Sequence, residues 1–161
     1  MRRADAPRLN CAMELVVFIG IQATGKSSFY LDRFFRTHVR VNLDMLKTRN
    51  REQILVRACI EGKTKFVSDN TNLTEDDRAR FIAPARAAGY LVHGYYFQSR
   101  AADALLRNGS RAEQDRVPDL AIRSAMRCLK TPKLAEGFDK LFFVRFGPAQ
   151  GFVVDDWKDE I

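Results

Sequence analysis

One stretch restricts the fold of this chain more than any other: Gly20-Ile-Gln-Ala-Thr-Gly25-Lys26-Ser27 matches G-x-x-x-x-G-K-[ST]. Such a loop belongs between a buried strand and a helix, and both flanks agree. Residues 15–19 are a continuous apolar run, the pattern of a central strand covered on both faces, and helical sequence follows over 26–35. Glycines let the loop wrap closely around phosphate, while successive N–H groups and the helix N-terminus face the anion. Lys26 is then expected on the β- and γ-phosphates and Ser27 on Mg²⁺. Gly20, Ala23, Thr24, Gly25, Lys26, Ser27 and Ser28 are the expected nucleotide-binding residues, with ATP and Mg²⁺ as the implied ligands.

The rest of the chain alternates strand and helix. Strands are expected at 39–42, 65–68, 90–97, 141–146 and 152–154, the last two as a hairpin around Gly147-Pro148 and Gly151. A helix over 51–61 shows the pairs Ile54/Ala58 and Leu55/Cys59 and stops at Gly62. Thr74 is the expected N-cap of a helix ending at Gly89, and Pro84 should bend it. A short helix spans 101–108, and after Pro118 the stripe Ile122, Met126, Leu129 reads as core. The pattern predicts an α/β fold: a three-layer P-loop NTPase sandwich with a mostly parallel central sheet, a helical lid, and ligands at the C-terminal strand ends.

At 161 residues, with no linker or repeat, one domain over 13–161 is expected, and 1–12 is expected to be a disordered tail. Cys11, Cys59 and Cys128 form no metal-ligand or C-x-x-C pattern and suggest a reduced, cytoplasmic protein. No apolar segment follows the early arginines as in a signal peptide, and the run 15–21 is too short to span a membrane. The net charge of +7, from 27 Lys+Arg against 20 Asp+Glu, favours polyanionic partners, of which ATP is itself one.

The other strand ends narrow the chemistry. No guanine-reading N-K-x-D motif is present. The third strand ends in Ser68-Asp69-Asn70, giving Asp69 for the metal but no neighbouring glutamate to activate water, which weighs against a motor ATPase; as an alternative, Asp69 caps the turn that follows. Asp44, just past the second strand, can accept a proton from an acceptor hydroxyl as general base, or it caps the next helix. Between 107 and 133 basic residues outnumber acidic ones, as in a lid whose arginines neutralise charge during transfer. A solvated basic helix face suits Arg123 and Arg127 better than Arg107 and Arg111.

Over roughly 14–146 the chain resembles the P-loop polynucleotide 5′-hydroxyl kinases. The resemblance is carried by Ser68-Asp-Asn-Thr-Asn72, Arg78-Ala-Arg-Phe-Ile82, Ala85-Arg-Ala-Ala-Gly89, Arg107-Asn108 with Arg111, and Leu134-Ala-Glu-Gly-Phe138. It implies Lys26, Asp44, Arg107 and Arg111 as catalytic residues and Ser27 and Asp69 at the metal. It also implies Lys47, Arg49, Asn72 and Arg78 on the acceptor, a 5′ end of DNA or RNA, with separate end-repair enzymes as partners. Lys47 stands where the family often has an arginine, and a lysine attracts phosphate as a point charge without the bidentate fork. A small-metabolite kinase on the same fold and a nucleotide-binding switch without transfer are the other readings the residues leave open.

Overall fold

The central apolar run forms β1 (Glu14–Ile19), and every residue after Glu14 is buried. The computed structural model describes residues 12–159; all of the expected tail except Ala12 lies outside the described residues. Around β1 the sheet runs in the order β2 (Val39–Val41), β3 (Phe66–Ser68), β1, β4 (Leu91–Phe97), β5 (Lys140–Phe146), β6 (Phe152–Asp156). All neighbours are parallel except the β5–β6 hairpin. Pairing on both sides is why β1 must be apolar throughout.

Alternate residues of β1 feed two cores, which makes the third layer. Leu15, Val17 and Ile19 pack with Val56 and Cys59 of α3 (Arg49–Glu61) and with Phe81, Ile82 and Ala85 of α4 (Glu75–Ala87). Val16 and Phe18 face Phe29 and Tyr30 of α1 (Lys26–Arg33) and Phe34 at its C-terminal cap. Phe18 meets Phe29, Phe34 and Phe97 at centroid separations of 5.8, 5.8 and 5.2 Å, in the inclined geometries that aromatic quadrupoles favour. A third cluster joins Ile21 and Ala23 of the loop to Ala104 of α5 (Ala101–Gly109) and Ile122 and Ala125 of α6 (Asp119–Cys128), seating the lid helices against the phosphate loop.

Helix ends follow local rules. Thr74 and Asp77 complete a capping box on α4, and Gly89 takes φ 82 just past the helix. Pro84 is accommodated inside α4 on its exposed side. Two expected faces are rotated. In α3 the buried residues are Glu52, Val56 and Cys59, while Ile54 is 50% exposed. In α6 they are Ile122 and Ala125, with Met126 facing outward.

Two ionic groups, one buried and one partly buried, tie distant elements together. The fully buried Arg78 donates to Glu136 through Nε (2.6 Å) and Nη2 (2.8 Å) and to the carbonyls of Asn72 and Lys130 through Nη1, both at 3.1 Å. Arg78→Met is expected to cost about 3–5 kcal/mol, because it strands the Glu136 carboxylate. Denaturant melts check this, and an Arg78→Met/Glu136→Leu double variant should recover much of the loss.

At the opposite edge of the sheet from the phosphate loop, Glu14 accepts from His38 (3.1 Å) and His93 (2.7 Å). These hydrogen bonds, His38's first, hold its carboxyl well below the usual carboxylate range. A depressed folded-state value adds stability that is complete above the ordinary value of 4.5 and is lost as pH falls below it. Glu14→Gln is expected to flatten the acid limb of a stability-against-pH curve measured by thermal melts.

Candidate active site

Left-handed backbone at Ala23 and Gly25 shapes the phosphate loop. Gly25 occupies the left-handed region at φ 91 as the N-cap of α1, and a Cβ there would lie 2.7 Å from the Phe146 ring and 2.9 Å from that of Phe152. Ala23 is held at φ 60, its carbonyl accepting a 2.6 Å bond from Arg107 Nε. Ser99 Oγ accepts from Ile21 N–H and Thr71 O from Gly20 N–H, pinning the loop's entry to the neighbouring strand ends.

No side chain caps α1, so its first N–H groups are left for a ligand. Beside them Gln22 Oε1 is buried without a hydrogen-bond partner. Lys26, only 9% exposed, folds back over the loop: Nζ donates to Gly20 O at 2.9 Å and Ile21 O at 2.5 Å. Burial pushes its ammonium down to about 8, opposed by nearby Asp69 and reinforced by Arg111, so it stays positive at neutral pH.

Because β1 and β3 are hydrogen-bonded neighbours, the loop at the end of one meets Asp69 at the end of the other. Ser27 Oγ donates to Asp69 Oδ2 at 3.1 Å, and Asp69 is 2% exposed. Hard oxygen donors in this pairing fit Mg²⁺, which takes one or two protein oxygens and completes its shell with phosphate and water. Among the described residues no group of three or more His, Cys, Asp or Glu is placed to hold a metal ion.

Asp44 lies in the single turn α2 (Leu43–Leu46), exposed at the rim of the loop's cavity. The capping duty that competed for it belongs elsewhere: Asn42 caps α2 by accepting from Met45 N–H, and Thr48 caps α3. Asn42 Nδ2 also donates to Asp69 O at 2.6 Å, and Asn70 Oδ1 accepts from Leu43 N–H at 2.8 Å. Buried Glu52 holds the other end of the Asn70 amide at 2.8 Å, so α2 is anchored to β3 from two sides.

A cavity of about 170 Å³ brings Ala23, Thr24, Gly25, Lys26, Ser27 and Ser28 together with Asp44, Asp69 and Arg111. Gly20 lies behind the loop as a partner of Lys26. The two lid arginines separate: Arg111 lines the cavity, whereas Arg107 braces Ala23 and stacks its guanidinium 4.7 Å from the Phe146 ring centroid. Buried Asn108 sets the lid loop between them, exchanging hydrogen bonds with Val117 N–H and O.

Two expected acceptor contacts do not fit. Arg78 has no face on the cleft, its guanidinium being consumed by Glu136 and main-chain carbonyls. Asn72 is 3% exposed at φ 45 and donates to Phe18 O and Ser68 Oγ, bracing β1 and β3. Arg49 is tied to Glu52 at 2.7 Å. Lys47 is exposed just after α2, at φ 73, a backbone region that side chains rarely adopt. Sequence reasoning missed Arg40, whose guanidinium bonds both Asp69 Oδ2 and Ser27 Oγ; its one signal was a charged residue between two β-branched strand residues.

Residues 15–132 match the family model of an AAA domain. The chain is 30% identical over 140 residues to the bifunctional polynucleotide phosphatase/kinase of Schizosaccharomyces pombe, an alignment covering 83% of this chain and 34% of that protein. It thus spans about a third of the relative's length. Among solved structures, Chaetomium thermophilum Kti12 in complex with ADP-AlF3 aligns with TM-score 0.63 at 13% identity, covering 84% of this chain and 92% of that one. A gluconokinase from Sinorhizobium meliloti 1021 aligns with TM-score 0.57 at 15% identity, covering 82% of each. At those identities the likeness is one of fold alone. Since the matched span holds the phosphate loop, Asp44, Asp69 and both lid arginines, the chain belongs to the AAA domain family of nucleotide-binding P-loop proteins.

Proposed function

We propose that this chain is an ATP-dependent kinase that moves the γ-phosphoryl group of Mg²⁺-ATP to a hydroxyl, with the 5′-hydroxyl of a DNA or RNA end as the acceptor. The observation that carries the reading is the convergence of Lys26, the Ser27–Asp69 pair, Asp44 and Arg111 on one cavity. Mg²⁺ held by Ser27 and Asp69 would neutralise charge on the phosphate oxygens. The uncapped start of α1 and Lys26 cradle the β- and γ-phosphates. Asp44 accepts the acceptor's proton as its oxygen bonds to the γ-phosphorus, the bond from that phosphorus to the β–γ bridging oxygen breaks, and ADP leaves with that oxygen. Arg111 offsets the negative charge that spreads over the transferred group, and Arg107 keeps the loop beneath it in shape.

The polynucleotide acceptor is supported by the resemblance to 5′-hydroxyl kinases, by the identity shared with the polynucleotide phosphatase/kinase, and by the charge of +7. Lys47, exposed one turn beyond Asp44, would attract the acceptor's own phosphates. Arg49 stands behind it, partly neutralised by Glu52. Acceptor affinity should therefore fall steeply with salt, since each neutralised phosphate releases counterions. Lys47→Ala is expected to weaken oligonucleotide binding and to reduce the log–log salt slope by about one phosphate's worth while sparing ATP affinity. Fluorescence anisotropy across a salt series measures both. The acceptor class is tested by offering labelled ATP to 5′-hydroxyl oligonucleotides and, separately, to pooled small metabolites. Label on metabolites alone would leave the kinase and remove the polynucleotide.

A further inference from the structure

Arg40 is the middle residue of the edge strand β2, and its guanidinium sits where the phosphate-loop chemistry calls for a cation. Nε and Nη2 each lie 2.8 Å from Asp69 Oδ2, and Nη2 donates to Ser27 Oγ at 3.0 Å. Ser27 donates to the same carboxylate oxygen. One positive group therefore spans the two oxygens that fit Mg²⁺. The Asp69 side chain is 1% exposed, and a carboxylate so buried is costly without a positive partner. Arg40 is the more accessible member at 29%, on a strand with an open side, with the Tyr30 ring 5.7 Å from its guanidinium. Arg40 can swing toward solvent without disturbing the core, whereas the Asp69 carboxylate is enclosed at the end of β3.

We propose that Arg40 is a built-in stand-in for the divalent cation: it holds Ser27 and Asp69 together in the free protein and is displaced when Mg²⁺ enters with nucleotide. The inference rests on nucleotide binding at the phosphate loop and assigns that site an internal competitor. Ser27 Oγ cannot present the same lone pair to Nη2 and to a cation, and two positive groups on Asp69 Oδ2 repel each other. Cation binding must therefore overcome the Arg40 contacts, and its affinity is lowered by whatever those contacts contribute. In a metal-free solution the same guanidinium supplies positive charge beside the phosphate site and supports ADP there. Arg40 thus blunts the dependence of nucleotide binding on Mg²⁺ in both directions.

The test is calorimetric titration of ADP into the wild type, Arg40→Met and Arg40→Lys, each in EDTA and in excess Mg²⁺. The readout is the ratio of the two dissociation constants. For Arg40→Met the ratio is expected to rise by about tenfold or more, since charge-assisted contacts are lost from the metal-free state alone. Arg40→Lys keeps the charge without the fork and should fall between. Thermal melts supply an independent reading: Arg40→Met should melt lower than wild type in EDTA and regain most of the difference with Mg²⁺-ADP. An unchanged or smaller ratio would overturn the proposal while leaving nucleotide binding intact, and failure of wild type to bind ADP at all would overturn both. Should Arg40→Met not fold, the ratio for Arg40→Lys decides alone, an increase supporting displacement and no change refuting it.

Discussion

Asp44→Asn is expected to bind ATP with near wild-type affinity and to transfer its phosphoryl group about a hundredfold more slowly, or worse, since a positioned general base contributes about 10²–10⁴ in rate. Asparagine keeps the size and hydrogen-bonding reach of the carboxylate and removes only its ability to take a proton. The competing role, helix capping, would be served by asparagine equally well, but Asn42 and Thr48 already cap α2 and α3. Asp44 is exposed on a turn anchored by Asn42 and Asn70, so the substitution should leave stability unchanged. Single-turnover transfer alongside equilibrium ATP binding separates the two quantities. Unchanged transfer by a folded variant would remove Asp44 from the chemistry.

Lys26→Ala is expected to lower transfer by about 10²–10³ or more, the cost of removing one preorganised positive donor from a developing anion. It should also weaken nucleotide binding, because Lys26 lines the cavity and adds a positive charge to the N–H groups that face the phosphate. The fold should survive. Burial already disfavours the ammonium, shifting it to about 8, so removing it relieves desolvation as well as breaking its hydrogen bonds to the loop. A melting temperature within a few degrees of wild type, with ADP binding severely weakened in calorimetry, is the expected pair of results. Near-normal transfer would be incompatible with phosphate binding at this loop.

Local signals account for what the sequence made legible. The apolar run of β1, the glycines of the phosphate loop, the Thr74 cap and the hairpin glycines are each decided by residues close in the chain, and the fold matched them. Missing from local sequence was any effect that depends on which strands become neighbours. The Ile54 face of α3 yielded to Glu52 because Arg49 and Asn70 satisfy a buried carboxylate, and Asn70 comes from the end of β3. Arg78 looked like a cleft residue until Glu136, 58 positions away, claimed its guanidinium. Arg107 and Arg111 look alike in sequence and separate only when Phe146 and the Ala23 carbonyl are placed beside the first. Arg40 reads as an ordinary edge-strand residue, and only the β2–β3 pairing that sets Val41 opposite Ser68 carries it to Asp69.

The most direct measurement is transfer itself: ATP labelled at the γ-phosphate, Mg²⁺ and a 5′-hydroxyl oligonucleotide, with products resolved on a denaturing gel for wild type and Asp44→Asn. Label should appear at the oligonucleotide's 5′ terminus, be removed by a phosphatase, depend on Mg²⁺, and nearly vanish with Asp44→Asn. Label that stays in ATP, or is released only as inorganic phosphate whatever hydroxyl is offered, would contradict a kinase at this cleft.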